Sequence, residues 1–237
     1  MRTWIAAASI GMALCALTTG ALAAQPAPAA APASAPAAGA PNPAMDKDLA
    51  DLEREWAHIT YEVPDSDDRF DQLQPLLQKA AAVVARYPNR AEPLIWAGII
   101  TSEEAADASM LNALSHAEAA KSIFEAAERI DPNALHGAIP MSLGVLYYRV
   151  PGSPFGFGDD DMARALLEKA LAMDPDGLDI NYFYGDFLME QDEYQKARDV
   201  LTHALQAPVE PTRPVWEAGR RGEVQALLAK ANRKLAD

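Results

Sequence analysis

Two acidic runs, four histidines and one cysteine are the places where this sequence could do chemistry. Metal binding needs ligands gathered at one point, and His58, His116, His136 and His203 are scattered, with no paired H-E-x-x-H spacing. They read as solvated or capping side chains. The run PDSDDRFD, residues 64–71, is acidic enough to suggest calcium, yet it lacks the central glycine and closing glutamate of a calcium loop. Asp65 to Asp68 suit instead the cap of a helix starting near Arg69, because a short acidic side chain accepts from the free N–H groups of a first turn. The same argument assigns Asp159, Asp160 and Asp161 to the start of a helix at about Asp160, where the dipole favours negative charge. No glycine-rich segment leads into Lys-Ser/Thr to cradle phosphate, and no serine sits in a nucleophile elbow. The sequence is therefore read as a non-enzyme with no catalytic residue, no metal and no cofactor.

What remains is a binding feature. Val150 to Asp161, VPGSPFGFGDDD, sets Phe155 and Phe157 on a Gly/Pro segment. Two such rings are costly to leave in water. Either they fold back as a lid on the core, or they offer an apolar surface to a ligand or partner.

The elements that must position these residues follow from a repeat. Ala197, Leu201 and Ala204 are spaced small, large four later, small three later, after Gly185 and before Pro208. Ala163, Leu167 and Ala170 repeat this after Gly144 and before Pro175, and Ala120, Phe124 and Ala127 after Gly98 and before Pro132. These offsets fall on one helical face. The small residues admit a neighbouring helix, the large one fills the gap, and the proline ends the helix. The distance from glycine to first alanine is 22, 19 and 12 residues in chain order, so two copies carry insertions. A fourth copy precedes them, with Trp56 on its first helix and Leu76, Ala80, Val83 and Pro88 on or after its second. The pattern resembles the tetratricopeptide repeat, a helix-turn-helix unit, over roughly residues 46–208. The resemblance implies an all-α fold, an α-α superhelix of stacked helix pairs. Val224, Leu227, Leu228, Ala231 and Leu235 form one stripe on a last helix that caps the stack, with Lys230, Arg233 and Lys234 in its final turns. About nine helices and no sheet are expected.

Residues 1–23 read as a signal peptide: Arg2, an apolar run from Trp4 to Leu17, and Ala21-Leu22-Ala23 as the cleavage site. Cys15 falls inside this leader behind Leu14, which is too large for a lipid-attachment motif, so no stable membrane anchor is expected. Residues 24–44 are an Ala/Pro-rich linker with nothing bulky to bury, expected to stay disordered, and residues 45–237 form the helical repeat domain. The predicted location is the periplasm. A formal charge of −14 argues against nucleic acid and anionic lipid as partners.

In tetratricopeptide folds the first helix of each pair lines a concave face. Here that face would carry Ile95, Ile99, Met141, Val145, Tyr148, Arg149, Tyr182, Asp186 and Met189. The candidate ligand- or partner-binding residues are Tyr148, Arg149, Phe155, Phe157, Tyr182 and Asp186, in a groove suited to an apolar peptide or small organic ligand. The segment YYRVPGSPFGFGDDDMARALLEKALAMDPDG, within residues 143–185, also resembles the T-component proteins of TRAP-type periplasmic transporters. That resemblance implies a conduit or pocket for an apolar ligand and a solute-binding protein as partner. Two functions are carried forward: an exported scaffold that binds a partner protein or peptide in its concave groove, or an accessory component of solute uptake. Self-association into a homo-oligomer stays open.

Overall fold

A computed structural model describes residues 41–107 and 110–236. The expected signal peptide and most of the expected linker lie outside the described residues. Nine helices are present among them: α1 (Pro43–Glu62), α2 (Ser66–Arg86), α3 (Ala91–Asp107), α4 (Met110–Ile130), α5 (Ala138–Arg149), α6 (Asp160–Met173), α7 (Leu178–Glu190), α8 (Tyr194–Ala204) and α9 (Pro214–Ala236). The first starts two residues ahead of the expected boundary. Pro43 fits the first helical turn, where an N–H is not needed, and the Asn42 side chain accepts from Met45 N at 3.2 Å. Asp65 caps α2, accepting from Asp67 N at 2.9 Å and Asp68 N at 3.2 Å, so that helix begins three residues before Arg69. Asp159 caps α6 by accepting from Met162 N at 2.9 Å.

The repeat pattern becomes packing. Helices pair as α1–α2, α3–α4, α5–α6 and α7–α8. Ala120, Phe124 and Ala127, then Ala163, Leu167 and Ala170, then Ala197, Leu201 and Ala204 are all fully buried. Each large residue sits where the glycine of the preceding helix has no side chain. A Cβ on Gly98 would lie 2.6 Å from the Phe124 ring, on Gly144 2.8 Å from Leu167, and on Gly185 2.7 Å from Leu201. Helix pairs thus close around the bulky residue that the sequence spaces between two alanines.

The sequence stripe placed the last helix around Val224–Leu235, but α9 starts ten residues earlier. It packs on α8 and α7 and reaches α1, so its first half joins the two ends of the stack. Leu52 and Trp56 of α1 share one hydrophobic cluster with Trp216, Val224 and Ala231 of α9. Leu235 departs from the expected stripe: it is exposed, in the last turn of the helix beyond the buried Ala231.

The join is polar as well as apolar. Arg220 is buried; its Nε donates to Asp179 Oδ1 at 2.6 Å and its Nη1 to Glu223 Oε2 at 2.7 Å. Trp216 Nε1 donates to the same Asp179 oxygen at 3.2 Å, and Tyr61 Oη of α1 donates to Glu223 Oε2 at 3.2 Å. The guanidinium lies 4.4 Å from the Tyr182 ring centroid and 4.7 Å from that of Phe183, within cation–π range. Burial works against the charge on Arg220, but Asp179 and Glu223 outweigh it and keep the group protonated. Burial pushes Glu223 above the usual carboxylate range, although Arg220 pulls the other way.

Tyr61 lies flat against Gly219, leaving no room for a Cβ there, whereas a Cβ on Gly222 meets nothing within 4 Å. Gly219→Ala is therefore expected to destabilise the protein by about 1–3 kcal/mol through overpacking. Gly222→Ala, one turn on in the same helix, is expected to stabilise it by about 0.5–1 kcal/mol through helix propensity. Thermal melts of the two variants check the opposite signs. Arg220→Met strands two carboxylates. Asp179 and Glu223 keep 27% and 39% of their side-chain surface exposed, so water softens the loss. The expected cost is about 2–3 kcal/mol, below the full penalty for breaking a buried pair, and is measured by denaturant titration.

Candidate functional site

The odd-numbered helices surround a cavity of about 750 Å³. Trp56 of α1, Trp96 and Ile99 of α3, Met141 and Val145 of α5 and Phe183 of α7 supply its apolar wall. Trp216 and Arg220 bring α9 to the same wall, so the helix that joins the ends of the stack also bounds the cavity. Trp56 packs edge-on against Trp96, ring centroids 5.8 Å apart, and against Tyr61 at 6.0 Å. Ile99, Met141 and Val145, three residues assigned to the concave face from sequence, are in the lining.

Charge is spread unevenly over this wall. Six carboxylates line it (Asp46, Glu53, Glu103, Asp174, Asp179 and Glu210) against three guanidinium groups, Arg54, Arg213 and Arg220. All three cations have carboxylate partners: Arg54 with Asp51 at 2.9 Å, Arg213 with Glu53 at 3.0 Å, and Arg220 with Asp179 and Glu223. Glu210 accepts from Thr212 N at 3.2 Å and from its hydroxyl at 2.5 Å, and these bonds hold its carboxyl below the usual range. Asp46 faces the buried Arg90 guanidinium electrostatically, and the Asp174 carboxylate packs against Gly177. The Arg213–Glu53 pair is close but not aligned for a hydrogen bond, so Arg213 Nε and Glu53 Oε1 count as buried polar atoms without one. Trp56 Nε1 is a third such atom, on an indole only 4% exposed.

One stretch of backbone at the cavity was not legible in the sequence. Leu135, His136 and Gly137 all take positive φ, 51°, 46° and 95°, in the turn that leads into α5. Only glycine adopts that region at low cost, and the other two line the cavity. A non-glycine pair in this conformation marks a turn held by its surroundings. Gly137 itself allows the approach of Ala170 O, 3.1 Å from where its Cβ would be.

The six residues singled out from sequence lie elsewhere, and none is in the cavity lining. Three of them converge. Tyr148 Oη donates to Asp186 Oδ2 at 2.6 Å, and the Arg149 guanidinium pairs with the same carboxylate while stacking 5.0 Å from the Tyr148 ring. Asp186 is buried and Arg149 half-exposed, so the group pins α5 to α7 and keeps one cation at the surface. Burial raises the Tyr148 hydroxyl well above its ordinary value, and the adjacent Asp186 charge adds to it. Tyr182 lies over Arg220, and burial pushes its hydroxyl up to about 12.

The two phenylalanines divide the alternatives between them. Phe157 folds back: it meets the Tyr147 ring edge-on at 5.6 Å and packs against the cluster around Phe124 and Leu143. Lys121 Nζ sits 5.8 Å from both rings. Phe155 is 78% exposed. Gly158 lies against Val150 O with no room for a Cβ, and Asp159 N donates to Tyr147 O at 2.9 Å, so the loop doubles tightly back on the end of α5. Tyr147 is about 200° around the helix from Val145, which places the loop's anchor and the cavity on opposite faces of α5.

Residues 157–231 match the tetratricopeptide repeat family model. Among solved structures, a thermophilic TPR protein of Thermus thermophilus is similar at 18% identity, covering 81% of this chain and 91% of that one with a TM-score of 0.52. A MamA structure from AMB-1 covers 82% of this chain and 99% of its own at 16% identity, with a TM-score of 0.42. No curated protein matches the chain. Helix pairs stack glycine against bulky residue, the family match spans α6 to α9, and the fold as a whole is that of a tetratricopeptide-type helical repeat.

Proposed function

We propose that this protein is an exported, periplasmic adaptor that holds a short segment of a partner protein in its concave cavity. Tetratricopeptide folds generally serve as non-enzymatic scaffolds for protein–protein contact. The observation that carries the reading is the cavity itself, about 750 Å³, walled by all five odd-numbered helices. Its mixture of indole, aliphatic and carboxylate groups suits a segment that offers both side chains and backbone. Phe155, exposed at the tip of its loop, gives a second apolar contact for the body of such a partner.

A second reading, accessory protein of a TRAP-type uptake system, draws on the resemblance of residues 143–185. It is favoured by the size of the cavity, which falls in the range of pockets that enclose small molecules. Native mass spectrometry of the purified protein separates the two, since a co-purifying small molecule is expected only for the uptake role.

Ser142 lines the cavity on α5, while Thr202 is exposed on α8. Ser142→Trp, which fills the cavity, is expected to abolish the partner profile recovered from periplasmic extract. Thr202→Trp is expected to preserve it. An unchanged profile for Ser142→Trp overturns the concave-site reading.

A further inference from the structure

We propose that the turn leading into α5 is the rim of the binding site, where Leu135 packs against an apolar side chain of the segment the cavity takes. This rests on the adaptor reading above. The turn is an insertion. Asp174-Pro175-Asp176-Gly177 connects α6 to α7. The corresponding connection from α4 to α5 begins Asp131-Pro132-Asn133 and ends at Gly137, with Ala134, Leu135 and His136 added between. Ala134 is buried and ties the added stretch to the fold, whereas Leu135 and His136 are exposed and line the cavity.

Leu135 carries two costs in the free protein. Its φ of 51° lies in the left-handed region, where a bulky side chain crowds the backbone. The other left-handed positions outside glycine, among the described residues, are Asn89, His136 and Asp192, all of types that tolerate it better. The Leu135 side chain is also 40% exposed. For the free chain alone an asparagine is the better residue here, since it accepts both positive φ and water. The turn itself does not need the leucine. Asn133 N donates to Asp131 Oδ1 at 2.9 Å, His136 N to Asn133 O at 3.2 Å and Ala138 N to Leu135 O at 3.1 Å, none of which uses its side chain. What the leucine adds is apolar surface on the wall that Ile99, Met141 and Val145 share. That surface is repaid when an apolar group covers it, and strained residues of this kind gather at binding sites.

The test is calorimetry on the full chain with two short capped peptides in which serine alternates with leucine or with asparagine. The leucine peptide is expected to bind, about tenfold more tightly than the asparagine peptide. Leu135→Asn is expected to raise Tm by about 2 °C while weakening the leucine peptide about fivefold. Leu135→Met, which keeps an apolar side chain on the same backbone, is expected to match the unaltered protein in both measurements. Stability and binding then move in opposite directions, which a merely structural leucine does not produce. A lower Tm for Leu135→Asn shows that the fold holds the leucine and overturns the proposal. A higher Tm with unchanged affinity overturns it too, as does an asparagine peptide that binds as tightly as the leucine one. In those cases the adaptor reading stands as long as Ser142→Trp blocks the peptide. If neither peptide binds, or Ser142→Trp leaves binding unchanged, the adaptor reading falls together with the proposal.

Discussion

Arg220 holds this structure closed. A stack of helix pairs has two ends, each an apolar face with no further repeat to cover it. Here α9 covers α7 and α8 and also meets α1, so one helix serves both ends. A purely apolar contact would be non-directional. The guanidinium fixes the register instead, because its fork must meet Asp179 of α7 and Glu223 of its own helix while its face lies on Tyr182 and Phe183. Tyr61 of α1 then has one place to go, between the bare backbone of Gly219 and the Glu223 oxygen that Arg220 also engages. The desolvation cost of a buried cation is offset only because these partners arrive together.

The cavity is a consequence of that closure. The first helices would present an open concave face, and α9 with the residue just before it turns part of it into a bounded space by bringing Arg213, Trp216 and Arg220 to its wall. Arg213, just ahead of α9, and Arg220 within it are paired with carboxylates of α1 and α7, Glu53 and Asp179. The closure therefore pairs the cations it brings to the wall with carboxylates already there. Structure and binding character come from one set of contacts.

The repeats were legible in the sequence because their signal is local. Glycine, then small-large-small at fixed offsets, encodes a helix pair packed around one bulky residue, and Phe124, Leu167 and Leu201 are buried where the pattern put them. Helix caps were legible for the same reason, as Asp65 and Asp159 show. The start of α9 was not, because Pro214 to Gly222 carries Glu217, Arg220 and Arg221, which look like a solvated face in isolation. Only the fold reveals that Arg220 is buried among partners 41 residues back and three ahead. The left-handed turn at Leu135 and His136 was equally hidden, since neither residue type advertises positive φ.

The insertion after Val150 shows how a local signal fixes the residue types of a loop but not the face of the helix along which it returns. Its sequence announces apolar rings on a Gly/Pro loop, and one ring does cover core while the other stands in solvent. What it cannot announce is which side of α5 the loop returns along. That is decided by Asp159 N finding Tyr147 O and by Phe157 finding the Tyr147 ring, on the face turned away from Val145. The loop is therefore no lid on the cavity. Instead it widens the α4–α5 side of the stack, with Lys121 lying over both rings, and leaves the concave side to be shaped by the helix that ends the chain's described fold. An insertion between two helices of a repeat is free to do this because it interrupts no interface between neighbouring pairs, whereas a change in α9 alters both the closure and the binding wall.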